Sequence, residues 1–240
     1  MSEQKPPFGP WATLGIALLI GGLFALIQTA VAAALIIAGG QAGTEAEFIK
    51  AVDALPYNGD FLPWATFAAA PLCTAAVIAA ARWRATDWRG YLAFKPAYVS
   101  PWMRWMLVII VFGAICDTLT LAQGRPVVTE FARVAYSSAT FKPLLWLAFV
   151  LVAPLFEEIF FRGFVFKGLE HSRLGGRGAV FVTALFFAML HVQYDLWGML
   201  QVFGGGMIFG YARWRTGSLY VTISMHVWMN LVATLQAALF

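Results

Sequence analysis

Glu157, Glu158 and Arg162 fall within six positions of one another, inside an apolar run from about Leu144 to Phe166. Each charged group at the centre of a membrane helix costs roughly 2.5–3.5 kcal/mol, so such a cluster is a functional-site hypothesis by default. In helical geometry Glu158 and Arg162 are four apart, share a face and can neutralise each other. Glu157 is turned away by about 100° and has no partner in its own helix. Its partners must come from other apolar runs, where His191, His226, Asn230, Asp117 and Gln201 stand out. His226 and Asn230 share a helix face, as do Phe187 and His191. At 1.5 Å per residue, Glu157 lies about 15 Å from Lys167, His191 about 21 Å from Arg177, and His226 about 16 Å from Arg215. All three then sit near the membrane midplane, as a convergent site requires.

Two chemistries suit this set. A glutamate among imidazoles in a water-poor cavity can act as general base on water, with imidazole and the Asn230 amide donating to the oxyanion. Alternatively Glu157, His191 and His226 form a His₂Glu ligand set for zinc. Either route hydrolyses an amide within the membrane. The sequence has no His-Glu-x-x-His zinc helix and no Gly-x-Gly-Asp. Ser218 lacks the surroundings of a serine nucleophile. One membrane histidine alone reads equally well as an interhelical hydrogen bond; two histidines, a glutamate and an asparagine at one depth favour a site. Asp117 reads as a packing acceptor for Thr118 and Thr120, and Gln201 as an interhelical hydrogen bond. Gly204, Gly205, Gly206 and Gly210 give small-residue spacing for close helix packing. His171 reads as solvated.

The elements that must position these residues are membrane helices. The 240 residues are 61% hydrophobic and 12% charged, with mean hydropathy +0.75. A soluble domain carries about 25% charged residues, so the chain is an integral membrane protein. Two cysteines, Cys73 and Cys116, in apolar runs suggest no disulfide or Cys-based metal site, and a net charge of +4 spread over short loops is no nucleic-acid signature. Spans are expected at 11–38, 61–81, 102–122, 143–166, 178–194, 196–212 and 218–238, each near the roughly 20 residues a bilayer needs. The first is too long for a signal-peptide core and reads as a retained span. Eleven of the sixteen basic residues, Lys5 and Arg213 among them, fall on one side. The positive-inside rule makes that side, with the N-terminus, cytoplasmic. Thr44 to Glu47 carries a capping-box pattern, so a short helix is expected in the first outer loop and a similar one between Gln123 and Phe141. Pro154 is expected to free the Val150 carbonyl and kink the fourth span.

Glu157-Glu158-Ile-Phe-Phe-Arg162 resembles the Glu-Glu-x-x-x-Arg motif of the CAAX prenyl protease and bacteriocin-processing family. Phe187 to His191 resembles its Phe-x-x-x-His motif, and His226 to Asn230 its His-x-x-x-Asn motif. The resemblance covers about 144–231; residues 1–140 carry spans without a motif, in one membrane domain of 1–240. It implies an intramembrane endopeptidase with Glu157 as the water-activating base. His191, His226 and Asn230 would complete the site, and Glu158 with Arg162 would support it. Zinc and metal-free water activation both remain compatible, the absent zinc helix favouring the second. The expected fold is an all-α polytopic bundle of about seven to eight membrane helices around a buried polar site near the midplane. The expected partners are a membrane-associated protein or peptide substrate and the bilayer, with no nucleic acid. The expected location is a prokaryotic cytoplasmic membrane. The alternative is a non-enzymatic scaffold or bacteriocin self-immunity factor; a proton-coupled transporter would be expected to show an inverted repeat, which is not evident.

Overall fold

The computed structural model describes residues 7–39 and 44–240; Lys5, counted above with the cytoplasmic charges, lies outside them. Besides a 3₁₀ turn at Leu55–Tyr57, ten helices are formed by the described residues: α1 (Pro10–Ala38), α2 (Glu45–Ala54), α3 (Phe61–Arg84), α4 (Trp88–Tyr91), α5 (Val99–Ala122), α6 (Glu130–Ser138), α7 (Lys142–Glu170), α8 (Gly175–Met189), α9 (Leu196–Thr216) and α10 (Leu219–Leu239). No strand occurs among them. Four helices, α1, α3, α5 and α7, are long and apolar enough to cross a membrane by length and composition. α8 is apolar but only 15 residues long, while α9 and α10 have 21 each. The molecule is therefore an all-helical, polytopic membrane protein.

α7 is its central element. Forty-four per cent of its most apolar stretch is buried, against 11% in α1 and in α5, whose outer faces carry exposed Leu, Ile and Val suited to lipid. α1, α3, α8, α9 and α10 all pack on α7, and α5 closes the bundle behind α9 and α10. α8 and α9 approach closely because a side chain on Gly206 would press on Ala184 at 3.2 Å, and one on Gly210 on Val180 at 3.2 Å. This is the small-residue packing that the glycine spacing predicts.

The loops after α1 and α5 hold the two short helices expected of them. In α2 the Thr44 hydroxyl accepts from the Glu47 N–H at 3.3 Å and the Glu47 carboxylate accepts from the Thr44 N–H at 2.9 Å, which completes the capping box. α6 is capped by Thr129, whose hydroxyl accepts from the Ala132 N–H at 3.2 Å. Two of the differences between expected and observed span ends bear on the site. α8 stops at Met189, so His191 lies in the turn beyond it rather than within a span. α9 continues to Thr216, and Arg213, assigned above to the cytoplasmic loop, is 4% exposed within the bundle. The end of α8 carries no charge to mark it, and Arg213 has the local sequence of a boundary arginine.

Candidate active site

The site is built on a helix that changes pitch twice. In α7 the stretches Ala148–Val152 and Ile159–Val165 widen to hydrogen bonds spanning five residues, flanking a normal stretch at Ala153–Glu158. The Ala153 N–H reaches the Ala148 carbonyl, and the Phe166 N–H reaches the Phe161 carbonyl. Returning from five-residue to four-residue bonding skips one carbonyl, which is Phe149 in the first case and Arg162 in the second. Pro154 is the reason the first wide stretch ends where it does, since it has no N–H to continue the pattern. The Pro154 effect thus falls on the Phe149 carbonyl as well as the Val150 carbonyl that sequence alone indicates. Wide turns of this kind occur frequently at functional sites.

Both skipped carbonyls receive a side-chain donor from another helix. Asn230 of α10 donates its amide N–H to the Phe149 carbonyl at 2.8 Å, and Arg213 of α9 donates Nε–H to the Arg162 carbonyl at 3.0 Å. A buried backbone carbonyl left without a donor costs about 1–3 kcal/mol, so these contacts hold the irregular helix in shape. The Asn230 amide, expected to face an oxyanion, is engaged on the helix itself.

Between the two wide turns the polar groups meet. Glu158 and Arg162 are both fully buried, with Arg162 Nη1 donating to Glu158 Oε1 at 3.0 Å. The same Oε1 accepts from His226 Nδ1 at 2.9 Å. With a carboxylate as its partner, Nδ1 carries the proton, and Nε2 points the other way. His226 Nε2 lies 3.6 Å from Glu157 Oε2, whose side chain is 25% exposed against 6% for His226. One imidazole thereby spans both glutamates. Arg162 also donates Nη2–H to the Gly206 carbonyl of α9 at 3.3 Å, in the gap that the missing side chain of Gly206 leaves.

Two aromatic rings frame this chain. His226 stacks on Phe209 at 5.1 Å and meets the edge of Phe187 at 5.6 Å. The Arg162 guanidinium lies 4.5 Å from the Phe187 ring centre and 5.3 Å from that of Phe209. Desolvated contacts of this type are worth about 2 kcal/mol each and offset part of the burial of the charge. Among the described residues, Glu158 Oε2 and Arg162 Nε are buried without a hydrogen-bond partner. The fully buried Thr222 hydroxyl, one turn before His226, donates to the Leu219 carbonyl.

The His191 ring lies 4.6 Å from the Phe187 ring, centre to centre, and His191 is partly exposed. Its Nδ1–H donates to the Phe187 carbonyl at 2.7 Å, again leaving Nε2 free. It also stacks with Tyr194 at 5.9 Å, and Tyr194 lies within electrostatic reach of Glu157. The five residues Glu157, Glu158, Arg162, His226 and, through Phe187, His191 therefore gather at one place, with Asn230 bound to α7 beside them. Among the described residues no three of His, Cys, Asp and Glu converge to ligate an ion, so the zinc set of Glu157, His191 and His226 is not assembled.

The remaining polar groups singled out in the sequence find hydrogen-bond partners elsewhere. Asp117 accepts from Gln236 at 2.7 Å rather than from the threonines beside it, which bond to their own helix. Gln201 donates to the Thr120 hydroxyl at 3.0 Å, alongside Trp197 at 2.9 Å. Ser218 donates to the Lys95 carbonyl at 2.6 Å, and His171 is bonded to its own turn. Sequence reasoning missed Phe209 and Arg213. Phe209 carries no polar signal, and Arg213 was indistinguishable from a boundary charge.

Residues 139–232 match the family model described as Rce1-like, type II CAAX prenyl endopeptidase Rce1-like. That stretch contains Glu157, Glu158, Arg162, His191, His226 and Asn230, and so all three of the motifs quoted above. The family so described is one of endopeptidases. No curated protein and no solved structure matches the chain.

Proposed function

We propose that the chain is an intramembrane endopeptidase in which Glu157 activates water and His226 works beside it. The contact of one imidazole with both glutamates carries this reading. Glu158, neutralised by Arg162, fixes the His226 ring so that Nε2 faces Glu157. Glu157 is the more exposed of the two carboxylates and the one free to meet water. In the reaction, water oxygen forms a bond to the scissile carbonyl carbon as Glu157 takes one water proton. The C–N bond then breaks and that proton passes to the leaving nitrogen. His226 Nε2 and His191 Nε2 exchange protons with the reacting oxygen and nitrogen. Asn230 serves by holding the turn that precedes Glu157.

The substrate is a peptide or protein terminus lying in or on the membrane. The family description points to a prenylated CAAX tail, while a prokaryotic membrane would supply leader or signalling peptides instead. The N-terminus is proposed to be cytoplasmic. The test is purified protein in nanodiscs with an internally quenched peptide ending in a farnesylated CAAX sequence. Cleavage by wild type and its loss in Glu157→Gln support the proposal. Equal cleavage by the two proteins overturns it.

A further inference from the structure

We propose that Arg213 is a positioning residue for the catalytic helix, acting through the carbonyl that the second wide turn leaves unbonded. This inference rests on the proteolytic reading above, and deepens it.

The geometry is reciprocal. Arg162 reaches from α7 to the Gly206 carbonyl of α9, and Arg213 reaches back from α9 to the backbone carbonyl of Arg162 itself. Gly206 and Arg213 are seven apart, two turns along one face of α9. Arg162 is thus held at both ends, its guanidinium by Glu158 and Gly206 and its backbone by Arg213. Arg213 is 4% exposed, its guanidinium lies 5.3 Å from the Phe166 ring centre, and among the described residues it has no carboxylate within ion-pair distance. A buried arginine bonded to the carbonyl that the second wide turn orphans is placed to hold that turn. If the Arg162 carbonyl loses its donor, the wide turn can relax to ordinary pitch. Arg162 then rotates relative to Glu158, and Glu158 is what fixes the ring of His226. The effect travels to the reacting groups without Arg213 touching them, and a displacement of an ångström at a reacting group can cost about 10²-fold in rate.

Two substitutions separate the hydrogen bond from mere packing. Gln places its amide nitrogen the same number of bonds from the backbone as Arg places Nε, and Met has the same length without a donor. The probe is the quenched farnesylated CAAX peptide, with variants in nanodiscs and rates normalised to folded protein. Arg213→Met is expected to lower kcat at least ten-fold with KM within two-fold of wild type, and to shift the pH–rate profile. Arg213→Gln is expected to keep kcat within three-fold. Amide hydrogen exchange of the 159–167 segment is expected to quicken in Arg213→Met and not in Arg213→Gln. Equal kcat in all three proteins, or a loss confined to folded yield, overturns the proposal. A wild type that leaves the peptide intact counts against the proteolytic reading instead, and the exchange measurement then decides on Arg213 by itself. Should Arg213→Met not fold, Arg213→Lys, which keeps the charge and misplaces the donor, is measured in its stead with the same expectations.

Discussion

Glu158 Oε1 accepts two hydrogen bonds from different helices, at 3.0 Å from Arg162 of α7 and at 2.9 Å from His226 of α10. A pair confined to α7 would do no more than neutralise its own helix. The shared oxygen makes the pair a bracket for the imidazole, and ties the charge balance of α7 to the position of α10.

Removing one member of that bracket strands the other. Glu158→Gln or Arg162→Met is expected to destabilise the protein by about 3–5 kcal/mol, the cost of an uncompensated buried charge. The double variant Glu158→Gln/Arg162→Met is expected to be more stable than Arg162→Met alone. Chemical unfolding in detergent measures all three, and a double variant showing the summed loss would argue against the coupling.

Glu157 is expected to behave in the opposite way. It is partly exposed and outside the buried pair, so Glu157→Gln leaves the melting temperature near that of wild type. Its kcat is expected to drop about 10²–10⁴-fold, the range of a lost general base. Single-turnover cleavage alongside a melt separates the two effects.

Asn230 and Pro154 are predicted to be coupled through the Phe149 carbonyl. Asn230→Ala leaves that carbonyl without a donor and is expected to cost about 1–3 kcal/mol. Pro154→Ala restores a backbone N–H at that level, so Pro154→Ala/Asn230→Ala should regain part of the stability. Cleavage should not return with it, since the wide turn then runs one residue further and Glu157 is turned out of register with His226. A double-mutant cycle in unfolding, with cleavage measured on the same samples, checks both halves.

Gly206 and Gly205 provide a contrast within one helix. A methyl group at 206 would lie 3.2 Å from Ala184 and 3.3 Å from Arg162 Nη2, while at 205 its nearest neighbour is Phe112 at 3.8 Å. Gly206→Ala is expected to cost about 1–3 kcal/mol by overpacking and to lower activity through Arg162. Gly205→Ala should leave both nearly unchanged. Thermal melts and cleavage rates of the two variants decide it.

Much of the site was legible in the linear order of residues, for physical reasons. Charges in hydrocarbon are costly enough that Glu157, Glu158 and Arg162 announce themselves, and four-residue spacing predicts the Glu158–Arg162 pair found in α7. The helical class follows from composition, and α2 follows from its capping box. His191 was placed within a span whereas it lies in the turn after α8, because the end of α8 carries no charge to mark it. Arg213 was read as solvent-facing, because an arginine near a span end has the same local sequence whether it snorkels outward or turns inward.

What the sequence by itself determined is the inventory: an apolar helical chain, the residues able to do chemistry, and the pairs that share one helix face. These depend on local periodicity and on the cost of burying charge, both of which are properties of neighbouring residues. Only the tertiary structure decided which groups meet between helices. That His226 bridges two adjacent glutamates, that Asn230 donates to the Phe149 carbonyl, and that Arg213 holds the backbone of Arg162 all depend on a change of helical pitch. The pitch change is stable only because other helices supply the hydrogen bonds that α7 gives up.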